Sequence, residues 1–423
     1  MIYMKIIRAY KTELKPNNKQ RSWLRGCCGA SRIVYNWALN EWNEWFLEDG
    51  IRPVSQTRLK KYFNCMIKEE QYAWLSQYPY SIQEATFINL GRAFNSFYRQ
   101  KKDGTVDKRI QKLRDEGKWD RRIAKALDKG WHALTVYPGY PRFKRYDNND
   151  SFQLKEFTVY DTHIELGRKR DDIAKIGPIR LKERGYIPTA ESGAKYTTYA
   201  TVSQKAGHWY ISVQVHEEIP KLQNDSVLVI GVDFGLKALA VCSDGTVYES
   251  PKPLREAQSK LKRLQKELSR RQKGGQNWKK TKAKITKQHA RIANIRKHIL
   301  HDISHDLVVN KYPAMIVIED LNVSGMLRNH HLAQALSDVS FGELRRQIEY
   351  KAQWNGVEVV VADRWFPSSK LCRFCGSLND DLALSDREWT CDCGATLDRD
   401  LNAAMNLAAY GQKAETQPDC LGS

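Results

Sequence analysis

The amino-terminal part of the chain carries two hydrophobic patterns in succession. Apolar and polar residues alternate over residues 2–14, which predicts a strand, and apolar residues then recur at helical spacing through most of the first hundred residues. Asn17 and Asn18 precede the first helical stretch and could cap it. Alternation returns in short runs between residues 152 and 218, separated by Gly, Pro and Asp, which predicts an antiparallel barrel or sandwich.

The carboxy-terminal part has a different pattern, in which short apolar runs alternate with helical stretches. The run SVLVIGVDFG (226–235) is typical of a buried strand, and residues 238–250 continue it as a hairpin across Ser-Asp-Gly. A helical stretch at 254–300, a strand at 315–322, a helix at 340–356, a strand at 357–366 and a short helix at 398–410 follow. This order predicts an α/β layer with helices packed on a mixed sheet.

The net charge of the chain indicates a class of binding partner. The 423 residues hold 69 Lys and Arg against 49 Asp and Glu, a formal net charge of +20, and a field of that sign attracts polyanions such as nucleic acid. A basic surface kept for solubility is the alternative. Between Lys252 and Lys297 there are 17 basic residues and two acids, Glu256 and Glu267, so nucleic-acid contact is favoured there over a solvated helix face. Gly274, Gly275 and Asn277 are expected to break that stretch into two helices.

The composition also narrows the class of protein. A hydrophobic fraction of 41% is enough for sizeable cores, and the length predicts roughly two to four domains. The sequence has no apolar run of about 18 residues or more, and its first residues lack the apolar block of a secretory signal. We therefore expect a soluble intracellular protein.

Three acids stand where a metal-dependent phosphodiesterase needs them. Asp233 interrupts an apolar strand, Glu319 ends a second one, and Asp400 lies on the last helix. A buried carboxylate is costly unless it is paired or coordinated, and hard cations such as Mg²⁺ prefer oxygen ligands. Asp320 and Asp398 compete with their neighbours for the same roles, because acids at strand ends are also common turn and cap residues.

Four of the nine cysteines crowd into 22 residues: Cys372, Cys375, Cys391 and Cys393. In an intracellular chain this spacing predicts a four-thiolate structural zinc site rather than disulfides. The second pair is one residue shorter than the usual C-x-x-C, although a glycine follows both pairs. The alternative is a ribbon that holds metal loosely, or one in which another ligand replaces Cys391.

Several segments together resemble one family. In the carboxy-terminal half they are GVDFGLKALAV, IVIEDLNVSGM, SFGELRRQIEYKAQWNG, FPSSKLCRFCG and WTCDCGATLDRDLNAAMNL, and more weakly upstream they are KPNNKQ, SRIVYNWAL and YPRFK. Their order and spacing resemble TnpB, the RNA-guided nuclease family encoded by insertion sequences, and are similar to the compact type V CRISPR effectors. Two features depart from the family: the shortened cysteine pair, and a highly charged insertion at about 104–136, which predicts a polar helical hairpin or a mobile segment.

The resemblance implies a multidomain α+β fold. An antiparallel β-barrel (the wedge) would be interrupted by a helical recognition lobe and followed by an RNase H-like α/β RuvC domain with an inserted zinc ribbon. The implied boundaries are 1–14 for the first wedge strand, 15–130 for the recognition lobe, 131–224 for the rest of the wedge, 225–363 for the RuvC domain, 364–397 for a zinc ribbon that binds target nucleic acid, 398–412 for the last RuvC helix and 413–423 for a tail.

The resemblance also implies an activity. The family binds a guide RNA made from the transposon end and cuts double-stranded target DNA beside a short flanking motif. Its RuvC acids fall on Asp233, on Glu319 rather than Asp320, and on Asp400 rather than Asp398, and they would hold two magnesium ions. Such a protein would work in the cytoplasm of a prokaryote, at the nucleoid. The alternatives are a compact type V CRISPR effector, a guided DNA-binding repressor without cleavage, and an unguided zinc-ribbon DNA-binding protein.

Overall fold

The structure is a computed structural model in which the chain divides into two compact units. One unit comprises Lys5–Glu217, and the other comprises Met1–Met4 and Glu218–Ser423. The structure describes residues 3–49, 56–67, 70–128, 130, 133–146, 150–167, 176–235, 238–249, 252–321, 340–383 and 386–416. The end of the predicted tail from residue 417 and part of the IVIEDLNVSGM segment lie outside these residues. No described helix is long and apolar enough to cross a membrane.

The helices of the first unit follow the predicted pattern. They are α1 (Asn18–Asp49), α2 (Gln56–Met66), α3 (Tyr80–Lys102), α4 (Thr105–Asp115) and α5 (Trp119–Leu127), with 3₁₀ segments at Glu70–Gln77 and Ala133–Val136. A reciprocal capping box begins α1: the Gln20 N–H donates to Asn17 Oδ1 and the Asn17 N–H donates to Gln20 Oε1, each at 2.9 Å. Asn17 is therefore the residue that caps this helix.

The charged insertion forms α4 and α5, a helical pair as predicted, and this pair is not polar on every face. Val106, Ile110 and Trp119 are buried in the same hydrophobic core as the aromatic residues of α1 and α3. The Trp119 ring meets the Tyr137 ring edge to face, with centroids 5.4 Å apart. The insertion is thus anchored in the helical core through its few large apolar side chains.

The sheet of the first unit is nearly closed. Its strands are β1 (Tyr3–Lys15), β2 (Ser151–Leu154), β3 (Phe157–Val159), β4 (His163–Leu166), β5 (Ile179–Leu181), β6 (Lys195–Tyr196), β7 (Ala200–Lys205) and β8 (His208–Pro220). They are ordered β2-β7-β8-β1-β5-β4-β3, with β6 on β8, and the pairs with a described register are antiparallel. Because β2 and β3 are the two ends of this order and only two residues separate them in the chain, the sheet curls back on itself around a core that includes Trp209.

The second unit is built on a mixed five-stranded sheet. Its elements are β9 (Val229–Asp233), β10 (Ala238–Cys242), β11 (Val247–Glu249), α6 (Lys252–Ser269), α7 (Gln276–His305), a π-helical turn (Asp306–Asn310), β12 (Met315–Glu319), α8 (Phe341–Asn355), β13 (Glu358–Ala362), β14 (Glu388–Thr390), β15 (Thr396–Asp398) and α9 (Arg399–Thr416). The sheet order is β11-β10-β9-β12-β13. The first three strands are antiparallel, and β12 is parallel to both β9 and β13.

Helices cover both faces of this sheet. Residues at even positions of β9 and β12, such as Ile230 and Ile316, share a core with α7 and α8. Residues at odd positions, such as Val229 and Val317, share a second core with Leu407 of α9. Strand side chains alternate between faces, so every odd position of β9 and β12 lies beneath α9.

Helix α9 touches the sheet backbone directly. A Cβ built on Gly231 would lie 2.0 Å from the carbonyl oxygen of Ala404 and 2.5 Å from the nitrogen of Ala408, so no larger residue fits there unless the helix moves. At the far end of the helix, a Cβ on Gly411 would lie 2.6 Å from Val317 Cγ2. These two glycines set how closely α9, and the acid in its first turn, approach the sheet.

Candidate active site and metal centre

Asp233 and Glu319 lie side by side at one edge of the five-stranded sheet. They end β9 and β12, whose parallel register pairs Ile316 with Ile230 and Ile318 with Val232, so the next pair in that register is Glu319 with Asp233. Both are odd-numbered positions, so both carboxylates point to the face that α9 covers. Glu319 is also opposite Ala362 of β13, which lies in the core beneath α9.

Asp400 joins these two acids from the first turn of α9. Burial raises the pKa of Asp233 well above its ordinary value, and the negative charges of Glu319 and Asp400 raise that pKa further. The carboxylates of Glu319 and Asp400 are therefore both near enough to Asp233 to repel its charge. Such a set of like charges is what a divalent cation stabilises, and it is typical of metal-dependent nucleases.

Two arginines compensate the charge of Asp400. Arg387 Nη1 lies 3.4 Å from Asp400 Oδ2, and Arg399 Nε lies 3.5 Å from Asp400 Oδ1. Arg399 also lowers the pKa of Asp233 and of Glu319 through its charge. In this structure the acid on α9 is thus paired with cations rather than drawn into a tight carboxylate cluster.

Ser368 holds the side chain of Glu319 in place. Its hydroxyl donates a hydrogen bond to Glu319 Oε1, and the side chain of Ser368 is itself buried. Burial raises the pKa of Glu319, while the bond from Ser368 opposes that shift. Ser368, Arg387 and Arg399 were not predicted from the sequence, because a serine in a Pro-Ser loop and arginines beside acids have ordinary explanations. For Ser368 and Arg399, their place within the FPSSK and DRD segments is the signal that could have found them.

The two competing acids have other partners. Asp320 falls on the opposite face from Glu319, where it pairs with Arg364 and with Arg345 of α8 at 3.3 Å. Asp398 caps α9, since its Oδ1 accepts the Leu401 N–H at 2.8 Å. Local interactions account for both residues, and the negative charge of Asp398 also raises the pKa of Asp233, after those of Glu319 and Asp400.

The four cysteines converge on a single point. The Cys372 and Cys393 sulfurs are 3.9 Å apart, the Cys375 and Cys391 sulfurs are 3.5 Å apart, and all four lie within 4.8 Å of one another. Cys372 and Cys391 are buried, and the other two are exposed. Among the described residues, no other group of His, Cys, Asp or Glu gathers its ligand atoms this closely, the three acids included. The arrangement could hold one metal ion.

The shortened pair reaches this point through a turn like that of the longer pair. The Gly376 N–H donates to the carbonyl of Cys372 at 2.9 Å, and the Gly394 N–H donates to the carbonyl of Cys391 at 2.8 Å. Both glycines have positive φ, +77° and +86°, a conformation that other residues rarely adopt. Hydrogen bonding with Ser377 lowers the pKa of Cys375 to about 6. For Cys391, a backbone hydrogen bond with Cys393 lowers the pKa, but burial and hydrogen bonding with the other cysteines outweigh it and raise the pKa to about 12.

Two buried asparagines join the cysteine ribbon to α9. The Asn402 amide donates to the Leu371 carbonyl at 2.7 Å, and its Oδ1 accepts the Arg373 N–H at 3.1 Å. The Asn406 amide donates to the same Leu371 carbonyl at 2.7 Å and to the Ser368 carbonyl at 2.8 Å. The first cysteine turn is therefore fastened to the helix that carries Asp400, two residues before Asn402.

The basic stretch forms a helical hairpin on the second unit. Helices α6 and α7 pack through Leu254, Ala257 and Ile292, and the Gln288 amide donates to the Ala257 carbonyl at 2.7 Å. Most of the lysines and arginines of the hairpin are exposed. The helical structure is interrupted between Ser269 and Gln276, as predicted from the two glycines, whereas Asn277 lies inside α7.

Three family models match segments of this chain. Residues 200–330 match a family model described as "Probable transposase", residues 341–407 match "Cas12f1-like, TNB domain", and residues 4–50 match "Helix-turn-helix domain". In the structure this last segment is a strand and one long helix, β1 and α1, rather than two helices joined by a turn.

Relatives match over most of the chain. A "Putative RNA-guided DNA endonuclease" of Streptomyces pristinaespiralis is 32% identical over 97% of this chain and 91% of its own length. "Putative RNA-guided DNA endonuclease InsQ" of Escherichia coli (strain K12) is 30% identical over 96% and 93%. "TnpB-like protein MJ0751" of Methanocaldococcus jannaschii is 31% identical over 39% of this chain and 59% of its own length. The chain belongs to the TnpB family.

Among solved structures, the mini-RNA-guided endonuclease CRISPR-Cas_phi3 is similar to this chain with a TM-score of 0.47. Its sequence is 9% identical, and the match covers 96% of this chain and 92% of that one.

Proposed function

We propose that this chain is an RNA-guided DNA endonuclease of the TnpB type, which cuts double-stranded DNA beside a short flanking motif. The observation that carries the proposal is the meeting of Asp233, Glu319 and Asp400 at one sheet edge beneath one helix. Relatives that carry this activity in their names match the chain over more than nine tenths of its length.

Asp233, Glu319 and Asp400 are the proposed ligands of two catalytic magnesium ions. Carboxylate oxygens suit this hard cation, and the mutual repulsion of the three acids is relieved when positive charge is bound between them. When bound, the ions supply an activated water and neutralise charge on the phosphodiester. Ser368 orients Glu319, and Arg387 and Arg399 offer Asp400 an alternative partner that it would leave when metal binds.

The four cysteines are the proposed ligands of a structural zinc ion. Tetrahedral sulfur ligands at about 2.3 Å from zinc are separated from one another by roughly 3.8 Å. The two sulfur pairs at 3.9 and 3.5 Å are close to that separation, and all four sulfurs lie within 4.8 Å of one another. The residues present therefore suit zinc, and their role is to hold the ribbon of residues 364–397, which we expect to bind target nucleic acid.

The remaining parts take the family's domain roles. We assign residues 225–363 and 398–412 to an RNase H-like RuvC core, whose mixed sheet order supports the assignment. The nearly closed sheet of residues 1–14 and 131–224 would be the wedge barrel, and residues 15–130 would be the recognition lobe. The cell compartment that fits this reading is the cytoplasm of a prokaryote, with the protein acting at the nucleoid.

The proposed partners are a guide RNA from the transposon end and a double-stranded DNA target. In guided systems base pairing reads the target sequence, while the protein contacts backbones and a short motif. The exposed lysines and arginines of the α6–α7 hairpin would contact a phosphate backbone, and they would make binding weaken as salt concentration rises.

Three alternative functions can be distinguished from the proposed endonuclease by the cleavage test described below. A compact type V CRISPR effector would use the same site with a guide from a repeat array. A guided repressor does not need three acids on one face, and this chain retains all three. An unguided zinc-ribbon DNA-binding protein would purify without a discrete RNA.

The test is plasmid cleavage by the full chain, co-expressed with the DNA that surrounds its gene. The RNA that co-purifies is sequenced, and a plasmid carrying the matching target is incubated with the complex and Mg²⁺. We expect cleavage that depends on the RNA and on Mg²⁺, and an Asp233→Ala complex that binds the target without cutting it. Cleavage by Asp233→Ala at the wild-type rate would refute the active-site assignment.

A further inference from the structure

The loop that follows β13 is fastened to Glu319, which ends β12, and to Asp320, which follows it. Arg364 pairs with Asp320, and four residues later Ser368 donates to Glu319. Between them the Phe366 ring packs against the Tyr410 ring of α9, with centroids 4.9 Å apart. Two bonds to Asp363 tighten the turn: the Trp365 N–H donates to Asp363 Oδ1 at 2.8 Å, and the Phe366 N–H donates to the Asp363 carbonyl at 3.0 Å.

One side chain of this loop points away from all of these anchors. Trp365 is 85% exposed, whereas Phe366 and Ser368 are turned inward. A tryptophan buries more apolar area than almost any other residue when it is covered, so an indole left in water on a rigid turn loses that stabilisation. The hydrogen-bonded turn therefore presents the ring to solvent at no gain to the fold.

Its distance from the proposed nuclease site is limited by the chain. Ser368 is three positions after Trp365 in the chain, so their Cα atoms are at most about 10 Å apart. Ser368 in turn contacts Glu319. An indole at this place can reach a nucleotide next to one whose phosphate lies at the acids.

We propose that Trp365 is a stacking platform for an unpaired base of the DNA strand that enters the nuclease site. This inference rests on the proposed endonuclease function and adds to it a residue that positions the substrate. An aromatic face stacks on any base, which suits an enzyme whose target sequence is read by guide pairing rather than by the protein at the cut. DNA is the occupant because the acids beside the platform act on the DNA strand.

The experiment uses the full chain with its guide RNA, with Ca²⁺ in place of Mg²⁺ so that DNA stays uncut. Target duplexes carry 2-aminopurine at one position at a time in either strand. We expect one or two neighbouring positions whose fluorescence is quenched by the wild-type complex, retained in part by Trp365→Phe and lost in Trp365→Ala. With Mg²⁺, the single-turnover cutting rate of Trp365→Ala should fall between about fivefold and about a hundredfold, with partial rescue by Trp365→Phe.

A matched control removes another exposed apolar side chain. Val227 is 92% exposed and precedes β9, at the end of that strand opposite to Asp233. Val227→Ala and Trp365→Ala should both keep the wild-type melting temperature, and only the second should change the fluorescence. Equal signals from wild-type and Trp365→Ala complexes would refute the platform, as would an equal loss in Val227→Ala.

The outcomes separate this inference from the function on which it rests. If no complex cuts DNA but the aminopurine signal still depends on Trp365, the endonuclease proposal fails and the platform stands. If wild-type and Trp365→Ala cut equally fast with the same signal, the platform fails and the endonuclease stands. A Trp365-dependent signal on 2-aminopurine RNA of the same sequence, without one on DNA, overturns the assignment to the DNA strand.

Discussion

The two clusters of candidate metal ligands in the second unit are built in opposite ways. The four cysteines come from two tight turns within 22 residues, and their sulfurs already lie within 4.8 Å of one another. The three acids come from β9, β12 and α9, and the nearest partners of Asp400 are arginines. A structural site is closed by its own ligands, whereas a catalytic site keeps room for substrate and water.

The difference also appears in what holds each cluster. The cysteine turns need only their own backbone bonds and two glycines with positive φ. The acid cluster depends on the close contact of Gly231 with α9 and on the asparagines that fasten α9 to the ribbon. The cysteine ribbon therefore supports the acid cluster through α9. Substitutions can distinguish residues that bind metal from residues that hold those ligands in place.

The largest expected effect is a difference in cutting rate between substitutions at Asp400 and Asp398, which lie at the start of α9. Asp400→Asn should lower the cutting rate by about a thousandfold or more, because it removes a proposed metal ligand worth several kcal/mol in the transition state. Asp398→Asn should cut within about threefold of the wild-type rate, because asparagine caps a helix as well as aspartate does. Single-turnover plasmid cleavage measures both, and equal losses in the two variants would contradict the assignment to Asp400.

A smaller effect is expected from opening the cysteine cluster. Cys391→Ser should lose the bound metal and lower the cutting rate by roughly ten- to a hundredfold, as expected when residues that orient metal ligands are disturbed. Elemental analysis for zinc and the cleavage assay are the measurements. Cys65→Ser, at an exposed thiol of the first unit, is the control and should change neither. A zinc-free Cys391→Ser protein with full activity would show that the ribbon does not support the acids.

The link between the cysteine ribbon and α9 can be removed by a substitution at Asn402. Asn402→Ala removes three hydrogen bonds of a buried side chain and leaves the Leu371 and Ser369 carbonyls and the Arg373 N–H with fewer partners, a cost of about 1–3 kcal/mol. We expect a lower melting temperature, unchanged zinc content and cutting reduced by about tenfold. Asn294→Ala, at an exposed position of α7, should leave all three unchanged. Loss of zinc from Asn402→Ala would place the asparagine within the metal centre instead of between the two sites.

The smallest effect is on stability without metal. The folded-state pKa of Asp233 is raised, so ionisation of this acid destabilises the fold as the pH rises above its ordinary value of 3.8. Asp233→Asn removes that cost, so the free energy of unfolding of the metal-free protein should rise by on the order of 1 kcal/mol at pH 7. The measurement is denaturant unfolding, whose midpoint should move to a higher concentration. Near pH 3 the difference should vanish. A variant less stable than wild type at pH 7 would mean that Asp233 is favourably paired in the metal-free state.

Much of the acid site could be predicted from the sequence because strand periodicity is local. The apolar runs located β9 and β12, and alternation puts Asp320 on the opposite face from Glu319 without any structure. The cap at Asp398 and the role of Ser368 could not be predicted this way, because they depend on which residues α9 and the loop after β13 bring close. The split of the run at 152–160 into β2 and β3 and the three-residue strand β5 were also missed, since such short segments carry too few residues for a period.

The distinction between an open acid site and a closed cysteine site can be measured directly by anomalous scattering. Crystals of the protein soaked in Mn²⁺, a substitute for Mg²⁺, would be recorded at the manganese and zinc absorption edges. We predict manganese within about 2.0–2.6 Å of oxygens of Asp233, Glu319 and Asp400, and zinc at about 2.3 Å from the four sulfurs. Manganese bound elsewhere, with none at these three carboxylates, would contradict the proposed nuclease site.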